Sequence, residues 1–221
     1  MLELRIDGRE DSQASSHFTL TYEAYARYRL DMEEWARLLV ESSAGREVPD
    51  VDRQDKVSMS SIRYLMVQHV YAAMCLEAFI YDYGATNLGD TYVKKYLDKL
   101  DLVAKWVIIP RLVLGKEIAR DGQAFEHLRF IKKERDRLVH SKSRARLDDS
   151  ERQKELAKYR TAILKGLSGP RTGEDLNVFG QLVEILMTLK RLEEQCGREQ
   201  DWWAIVETPD SQPEAESDGI K

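Results

Sequence analysis

The sequence is poor in cysteine and has no long run of apolar residues. Its only two cysteines, Cys75 and Cys196, lie far apart in a chain of 221 residues. Two cysteines cannot form a disulfide framework, so we predict buried free thiols in a reducing compartment. No uncharged apolar run approaches the roughly 18 residues that a membrane span requires, and residues 1–7 lack the apolar core of a signal peptide. The sequence therefore predicts a cytoplasmic protein without a membrane segment.

The sequence motifs of several common enzyme classes are also missing. There is no glycine-rich nucleotide loop, no Gly-x-Ser-x-Gly sequence, no Cys-x-x-Cys pair and no His-x-x-x-His pair. The histidines stand singly in the sequence, at His17, His69, His127 and His140. Because a zinc site needs several such ligands at close spacing, we predict neither a metal site nor a cofactor.

The charge of the chain is acidic overall but strongly basic in one segment. The net charge is −5, whereas a protein that coats nucleic acid over its whole surface is normally basic. Residues 129–146 nevertheless contain eight basic side chains against two acidic ones. A contact with nucleic acid is therefore expected to be local.

Apolar residues recur at steps of three and four along most of the chain, which predicts an all-α helical bundle. The predicted helices cover residues 18–41, 58–83, 123–141 and 174–195, and 148–165 also has helical spacing. Pro110 must start, kink or end a helix in the apolar segment around it. A short strand at residues 2–6 is the only strand indicated. We predict a flexible segment at 1–17, one helical domain at 18–205 and a disordered acidic tail at 206–221.

One short motif carries residues suited to phosphate chemistry. Arg135 is followed by Asp136 and, after four intervening residues, by His140. Histidine can exchange a proton near neutral pH, and a guanidinium can hold two phosphate oxygens. On a regular helix, residues five positions apart differ by about 140° in direction. Arg135 and His140 of one chain therefore do not converge without a distortion or a second copy.

This Arg-x4-His motif resembles the hallmark of the HEPN superfamily, in which Arg and then often Asn or Asp precede His. Residues 72–80, which read Ala-Ala-Met-Cys-Leu-Glu-Ala-Phe-Ile, are similar to an earlier HEPN helix. The resemblance covers about residues 60–145, with weaker coverage to about 195. It implies a HEPN-like bundle of four to five core helices plus accessory helices, in a symmetric dimer that brings two motifs together.

The same resemblance implies a metal-independent RNA endonuclease that acts in a toxin, phage-defence or stress response. Arg135 and His140 would be catalytic, and Asp136 and Glu77 would support them. The side chains expected to bind the RNA backbone are Lys132, Lys133, Arg137, Lys142 and Arg144. The implied partners are RNA, a second copy and an antitoxin, for example a nucleotidyltransferase-like protein. Some family members have tyrosine as a nucleotide-transfer target where this chain has Lys142, which departs from that form of regulation.

Other interpretations of the chain and of its single residues stay open at this point. The chain could be a non-catalytic HEPN-like module that binds a nucleotide, RNA or a protein, or an all-α interaction protein with a coincidental motif. Arg135 and His140 could simply be cations that favour the carboxyl end of a helix, and the basic segment a solvated face. Glu77 could be a paired carboxylate, and Trp202 and Trp203 either packing groups or an exposed patch.

Overall fold

The computed structural model describes residues 1–9, 12–43, 51–140, 177–198 and 202–207, and these residues are mostly helical. The helices are α1 (Gln13–Ser43), α2 (Val51–Leu88), α3 (Asp90–Tyr92), α4 (Leu102–Leu114), α5 (Gln123–Val139) and α6 (Val178–Gln195). A π-helical turn covers Val93–Leu97, and two strands, β1 (Leu2–Ile6) and β2 (Trp203–Glu207), pair with each other. The predicted helical bundle is confirmed, with a small sheet added to it.

Helix α2 lies at the centre of the bundle and contacts α1, α4, α5 and α6. Its Ala72 and Ala73 are fully buried, and such small side chains allow neighbouring helices to approach closely. Leu76 and Phe79 fill the adjoining core. The indole Nε1 of Trp106 in α4 donates a hydrogen bond of 3.1 Å to the carbonyl oxygen of Leu76. The core therefore holds α2 and α4 at a defined distance.

Helix α2 extends beyond both predicted ends, and Gly84 explains the difference at its carboxyl end. The sequence predicts that the helix stops before this glycine, but it continues to Leu88. A Cβ atom at residue 84 would lie 3.2 Å from two side-chain atoms of Ile109 and 3.3 Å from Val93. The glycine therefore lets α2 and α4 pack closely, and tertiary packing outweighs its low helix propensity.

Helix α4 runs through Pro110 and neither starts nor ends there. The Asp101 side chain caps the helix by accepting hydrogen bonds of 2.9 and 3.2 Å from the backbone N–H groups of Val103 and Ala104. Helix α4 ends before Gly115, whose φ of 71° is left-handed. Helix α5 ends two residues before its predicted limit. None of the described helices combines the length and apolar character needed to cross a membrane.

The strand expected at residues 2–6 is confirmed. The sequence predicts a flexible segment over residues 1–17, whereas β1 within this segment is paired and packed. β1 pairs antiparallel with β2, so that Leu2 lies opposite Glu207 and Ile6 opposite Trp203. Leu4 is fully buried, and α1 already begins at Gln13. The partner strand comes from the other end of the chain, which a local sequence pattern cannot reveal.

Strand β2 also decides between the two interpretations of the neighbouring tryptophans. Trp203 is buried, and its indole Nε1 donates a hydrogen bond of 3.2 Å to Glu193 of α6. Trp202 packs against the main core. The interpretation of Trp202 and Trp203 as packing groups is therefore confirmed, and their interpretation as an exposed patch is wrong. Strand β2 includes the first two residues of the predicted acidic tail, and residues 208–221 lie outside the described residues, as does the predicted helical spacing at 148–165.

The two cysteines are free, as predicted, but only one is fully buried. Cys75 lies in the core, and burial raises the pKa of its thiol. Cys196 is partly exposed beside the carbonyl oxygen of Leu114. Cys75 therefore serves as a small apolar core residue.

Candidate functional site

A cleft of about 560 Å³ lies where the start of α1 meets α2, α4 and α5. Ionisable side chains from each of these helices line it, among them His17, Glu77, Lys105 and Arg135. Helix α2 provides the central wall because it packs against the other three helices. The bundle thus brings residues from four separate parts of the sequence to one surface.

Arg135 projects from α5 into this cleft and keeps part of its hydrogen-bonding capacity unused. Its Nη1 donates a hydrogen bond of 3.0 Å to Asp136 Oδ1, and its Nη2 lies 3.4 Å from Glu77 Oε2. The buried Nε has no hydrogen-bond partner among the described residues. The Arg135 side chain is 26% exposed, and Nη1 and Nη2 each carry a second N–H, so this end of the guanidinium is suited to an anionic ligand such as phosphate.

Glu77 lies between two cations, as the paired-carboxylate interpretation requires. Its Oε1 accepts a hydrogen bond of 2.8 Å from Lys105 Nζ, and its Oε2 faces Arg135. The Lys105 side chain is only 4% exposed, and its ammonium also lies 3.6 Å from Asp98. The shorter contact with Lys105 makes this lysine the main partner of Glu77, and Arg135 is its weaker second partner.

Several of the basic side chains expected to bind RNA are already engaged within α5. Lys132 donates a hydrogen bond of 2.9 Å to Asp136, and this bond lowers the pKa of the Asp136 carboxyl group. Arg137 pairs with Glu134 at 2.8 Å. Lys133 is exposed and has no ion pair with a described residue. Lys142 and Arg144 lie outside the described residues.

His140 lies at the carboxyl end of α5, where it is exposed to solvent. It forms the C-cap of the helix, and its backbone N–H donates a hydrogen bond of 2.9 Å to the carbonyl oxygen of Asp136. The side chains that line the cleft include Arg135 and Val139 but not His140. One chain therefore does not bring Arg135 and His140 into the same pocket, as their helical spacing predicts.

The cleft also contains residues that sequence reasoning did not select. His17 has a buried Nδ1 without a hydrogen-bond partner among the described residues, and burial lowers the pKa of this histidine. Nothing in the sequence pointed to it, because residue 17 belongs to the segment expected to be flexible. Lys105 had a detectable signal, since it is a lone lysine in an apolar stretch of α4.

A second polar group lies at the α1 end of the cleft. Ser12 Oγ donates a hydrogen bond of 2.8 Å to Asp82 Oδ2, and Arg9 Nη1 lies 3.7 Å from Asp82 Oδ1. Burial raises the pKa of Asp82, whereas its hydrogen bond with Ser12 opposes that change. The cleft therefore carries balanced charges, with three cations facing three carboxylates.

The described residues contain no group of three or more His, Cys, Asp or Glu side chains placed to hold a metal ion. Comparison of the chain with protein-family models, with curated proteins and with solved structures found no match.

Proposed function

We propose that this protein is a HEPN-type RNA endonuclease that needs no metal ion and that joins Arg135 and His140 at the interface of a symmetric dimer. The observation that carries the proposal is the Arg135 guanidinium, which lines the cleft beside Glu77 and Asp136. His140 stands exposed one and a half turns further along the same helix. The proposed biological role is a toxin, phage-defence or stress response, with an antitoxin as a further partner.

The proposed reaction is an internal transfer of the RNA phosphate. His140 accepts the proton of the ribose 2′-hydroxyl, and the 2′-oxygen forms a bond to phosphorus. The bond between phosphorus and the 5′-oxygen breaks, and the leaving oxygen takes up a proton. The products are a 2′,3′-cyclic phosphate and a 5′-hydroxyl. Arg135 stabilises the negative charge that develops on the phosphate oxygens.

A dimer supplies what this reaction needs and one chain lacks. Arg135 faces the cleft, whereas His140 caps the exposed end of α5. A second copy of α5 can bring its His140 to the Arg135 of the first chain, and the proton that this histidine accepts from the 2′-hydroxyl can then pass to the leaving 5′-oxygen. Val139 is also exposed at this helix end and offers apolar surface for such a contact.

The contacts of Arg135 favour one second candidate, a non-catalytic module that binds RNA. Glu77 and Asp136 both lie within 3.4 Å of the guanidinium. Two carboxylates reduce the local positive charge and would hold Arg135 in a structural role. In that case the protein binds RNA in a salt-dependent manner and does not cleave it.

The first experiment is digestion of single-stranded RNA by the wild-type protein in the presence of EDTA. We expect cleavage products with 2′,3′-cyclic phosphate and 5′-hydroxyl ends, because the 2′-oxygen is the nucleophile. An Arg135→Ala preparation, purified in the same way, shows whether a contaminating nuclease is responsible. RNA binding without any cleavage would contradict the proposed activity and favour the binding module.

A further inference from the structure

We propose that Tyr92 and Tyr96 form a stacking platform for the bases of single-stranded RNA outside the Arg135 cleft. This inference rests on the proposed function, since the RNA is taken to be the same substrate. It adds a site that neither the Arg-x4-His motif nor the basic segment of α5 includes. The platform would hold nucleotides of the same strand at a second contact.

The two tyrosines form a pair that faces the solvent. Tyr92 is 42% exposed and Tyr96 is 56% exposed. Their ring centroids lie 5.1 Å apart with an interplanar angle of 50°. Two adjoining exposed rings provide π-faces for bases of any identity, and stacking on such rings is a usual way to bind single-stranded nucleic acid.

The local backbone explains why the rings point outward. Val93 and Leu97, the end residues of the π-helical turn, are buried and anchor this turn to the core. The backbone N–H of Asp98 donates a hydrogen bond of 2.9 Å to the carbonyl oxygen of Val93, which closes the wide turn. Tyr96 therefore lies on the outer side of a rigid turn. Single π-helical turns are frequent at functional sites.

Lysines surround the tyrosine pair and are free to meet phosphates. Lys94, Lys95 and Lys99 are exposed, and none of them has an ion pair with a described residue. The ammonium of Lys95 lies 4.9 Å from the centroid of the Tyr96 ring. Aromatic rings beside cations match a ligand that carries both bases and phosphates.

The acidic residues of the same segment are each committed to another partner. Asp90 pairs with Arg9 at 3.1 Å, and Asp98 lies 3.6 Å from the buried Lys105. Asp101 caps the amino end of α4. The lysines beside the tyrosines therefore keep their positive charge uncompensated at the surface, which favours a polyanion over a neutral protein surface.

The ion pairs of this segment show how the platform lies relative to the cleft. Asp98, two residues after Tyr96, lines the cleft together with Arg135. Arg9 lines the cleft as well and binds Asp90, two residues before Tyr92. Residues two positions apart on a helix point to nearly opposite sides, so the tyrosines lie on the face of the segment that points away from the cleft. The platform is therefore a second RNA contact, separate from the Arg135 cleft.

The test is a binding titration with a short single-stranded RNA that carries a fluorophore and 2′-O-methyl riboses, which cannot be cleaved. Fluorescence anisotropy is measured for the wild-type protein and for the double variant Tyr92→Ala/Tyr96→Ala. We expect the double variant to bind about tenfold to hundredfold more weakly. The variant Tyr92→Phe/Tyr96→Phe keeps both rings and should bind within about twofold of the wild type.

A matched surface control separates stacking from a general loss of apolar surface. Leu30 on α1 is 57% exposed, so Leu30→Ala removes an exposed apolar side chain of another helix. This variant should bind the RNA as the wild type does. A duplex of the same sequence should respond little to the tyrosine substitutions, because its bases are already stacked on each other.

Several results would overturn the platform. They are equal binding by the alanine double variant and the wild type, absence of binding by the wild type, and equal loss in both the alanine and phenylalanine variants. A change of oligomeric state in light scattering with unchanged RNA binding would instead identify the tyrosines as a protein contact. Failure of the nuclease proposal is distinguishable, since it appears as missing cleavage while tyrosine-dependent binding persists.

Discussion

Replacement of His140 by alanine is expected to slow RNA cleavage by about 100- to 10,000-fold, the usual contribution of a general acid or base. The side chain is exposed at the end of α5 and packs into no core, so its removal should leave the fold intact. Cleavage rates of wild type and variant are measured side by side with a labelled single-stranded RNA in EDTA. Circular dichroism and thermal unfolding confirm that the variant is folded.

Substitutions of two other histidines show whether the loss of cleavage is specific to His140. His127 lies on the same helix, but its Nδ1 is 2.9 Å from Glu184 of α6, so His127→Ala should retain cleavage. His17 is the competing candidate, because it lines the cleft together with Arg135. If His17→Ala abolished cleavage and His140→Ala did not, the base would belong to the cleft of one chain and the proposed role of His140 would be wrong.

Replacement of Glu77 by alanine is expected to lower the free energy of unfolding by about 3 kcal/mol. The reason is Lys105, whose side chain is only 4% exposed and whose ammonium would keep only Asp98, at 3.6 Å, as a partner. A buried charge that loses its hydrogen-bonded partner is among the costly defects in a protein interior. Urea denaturation of wild type and variant measures the difference.

A double variant tests whether the unpaired charge causes this loss. In Glu77→Leu/Lys105→Met both charges are replaced by apolar side chains, and we expect the variant to recover most of the lost stability. The free energy of unfolding of this double variant is compared with those of Glu77→Leu and Lys105→Met alone. The interaction energy between the two sites then separates an unpaired charge from a simple packing defect. A change of less than about 0.5 kcal/mol for Glu77→Ala would contradict the assignment of Lys105 and Glu77 as a strong pair.

The sequence pattern predicts the helices of this protein better than their ends or their partners. The apolar spacing of α5 is regular, and its predicted limits differ from the structure by two residues. The carboxyl end of α2 could not be predicted from the apolar spacing. In the sequence Gly84 indicates a helix end, but in the structure it lies within the helix and packs against Ile109 and Val93. The pairing of β1 with β2 joins the two ends of the chain, beyond the reach of local patterns.

In the candidate site, too, the sequence predicts some of the residues and misses others. The motif singles out Arg135, the resemblance adds Glu77, and the structure brings both into one cleft. His17 and Lys105 join them only through packing of α1 and α4 onto α2, which no spacing in the sequence encodes. The helical geometry does predict that Arg135 and His140 diverge, and this divergence makes the dimer the central claim of the proposed mechanism.

That claim is tested most directly by hybrid dimers that carry the two substitutions in different arrangements. Chains with different affinity tags are expressed together, and the hybrid dimer is isolated by both tags. In the first hybrid, one chain carries Arg135→Ala and the other carries His140→Ala. In the second hybrid, one chain carries both substitutions and the other is wild type.

A site built from Arg135 of one chain and His140 of the other predicts opposite results for the two hybrids. The first hybrid keeps one of two sites intact and should cleave RNA at about half the wild-type rate, because the dimer is symmetric. The second hybrid has a defect in both sites and should be as inactive as a dimer of either single variant. An inactive first hybrid together with a half-active second one would contradict the shared site.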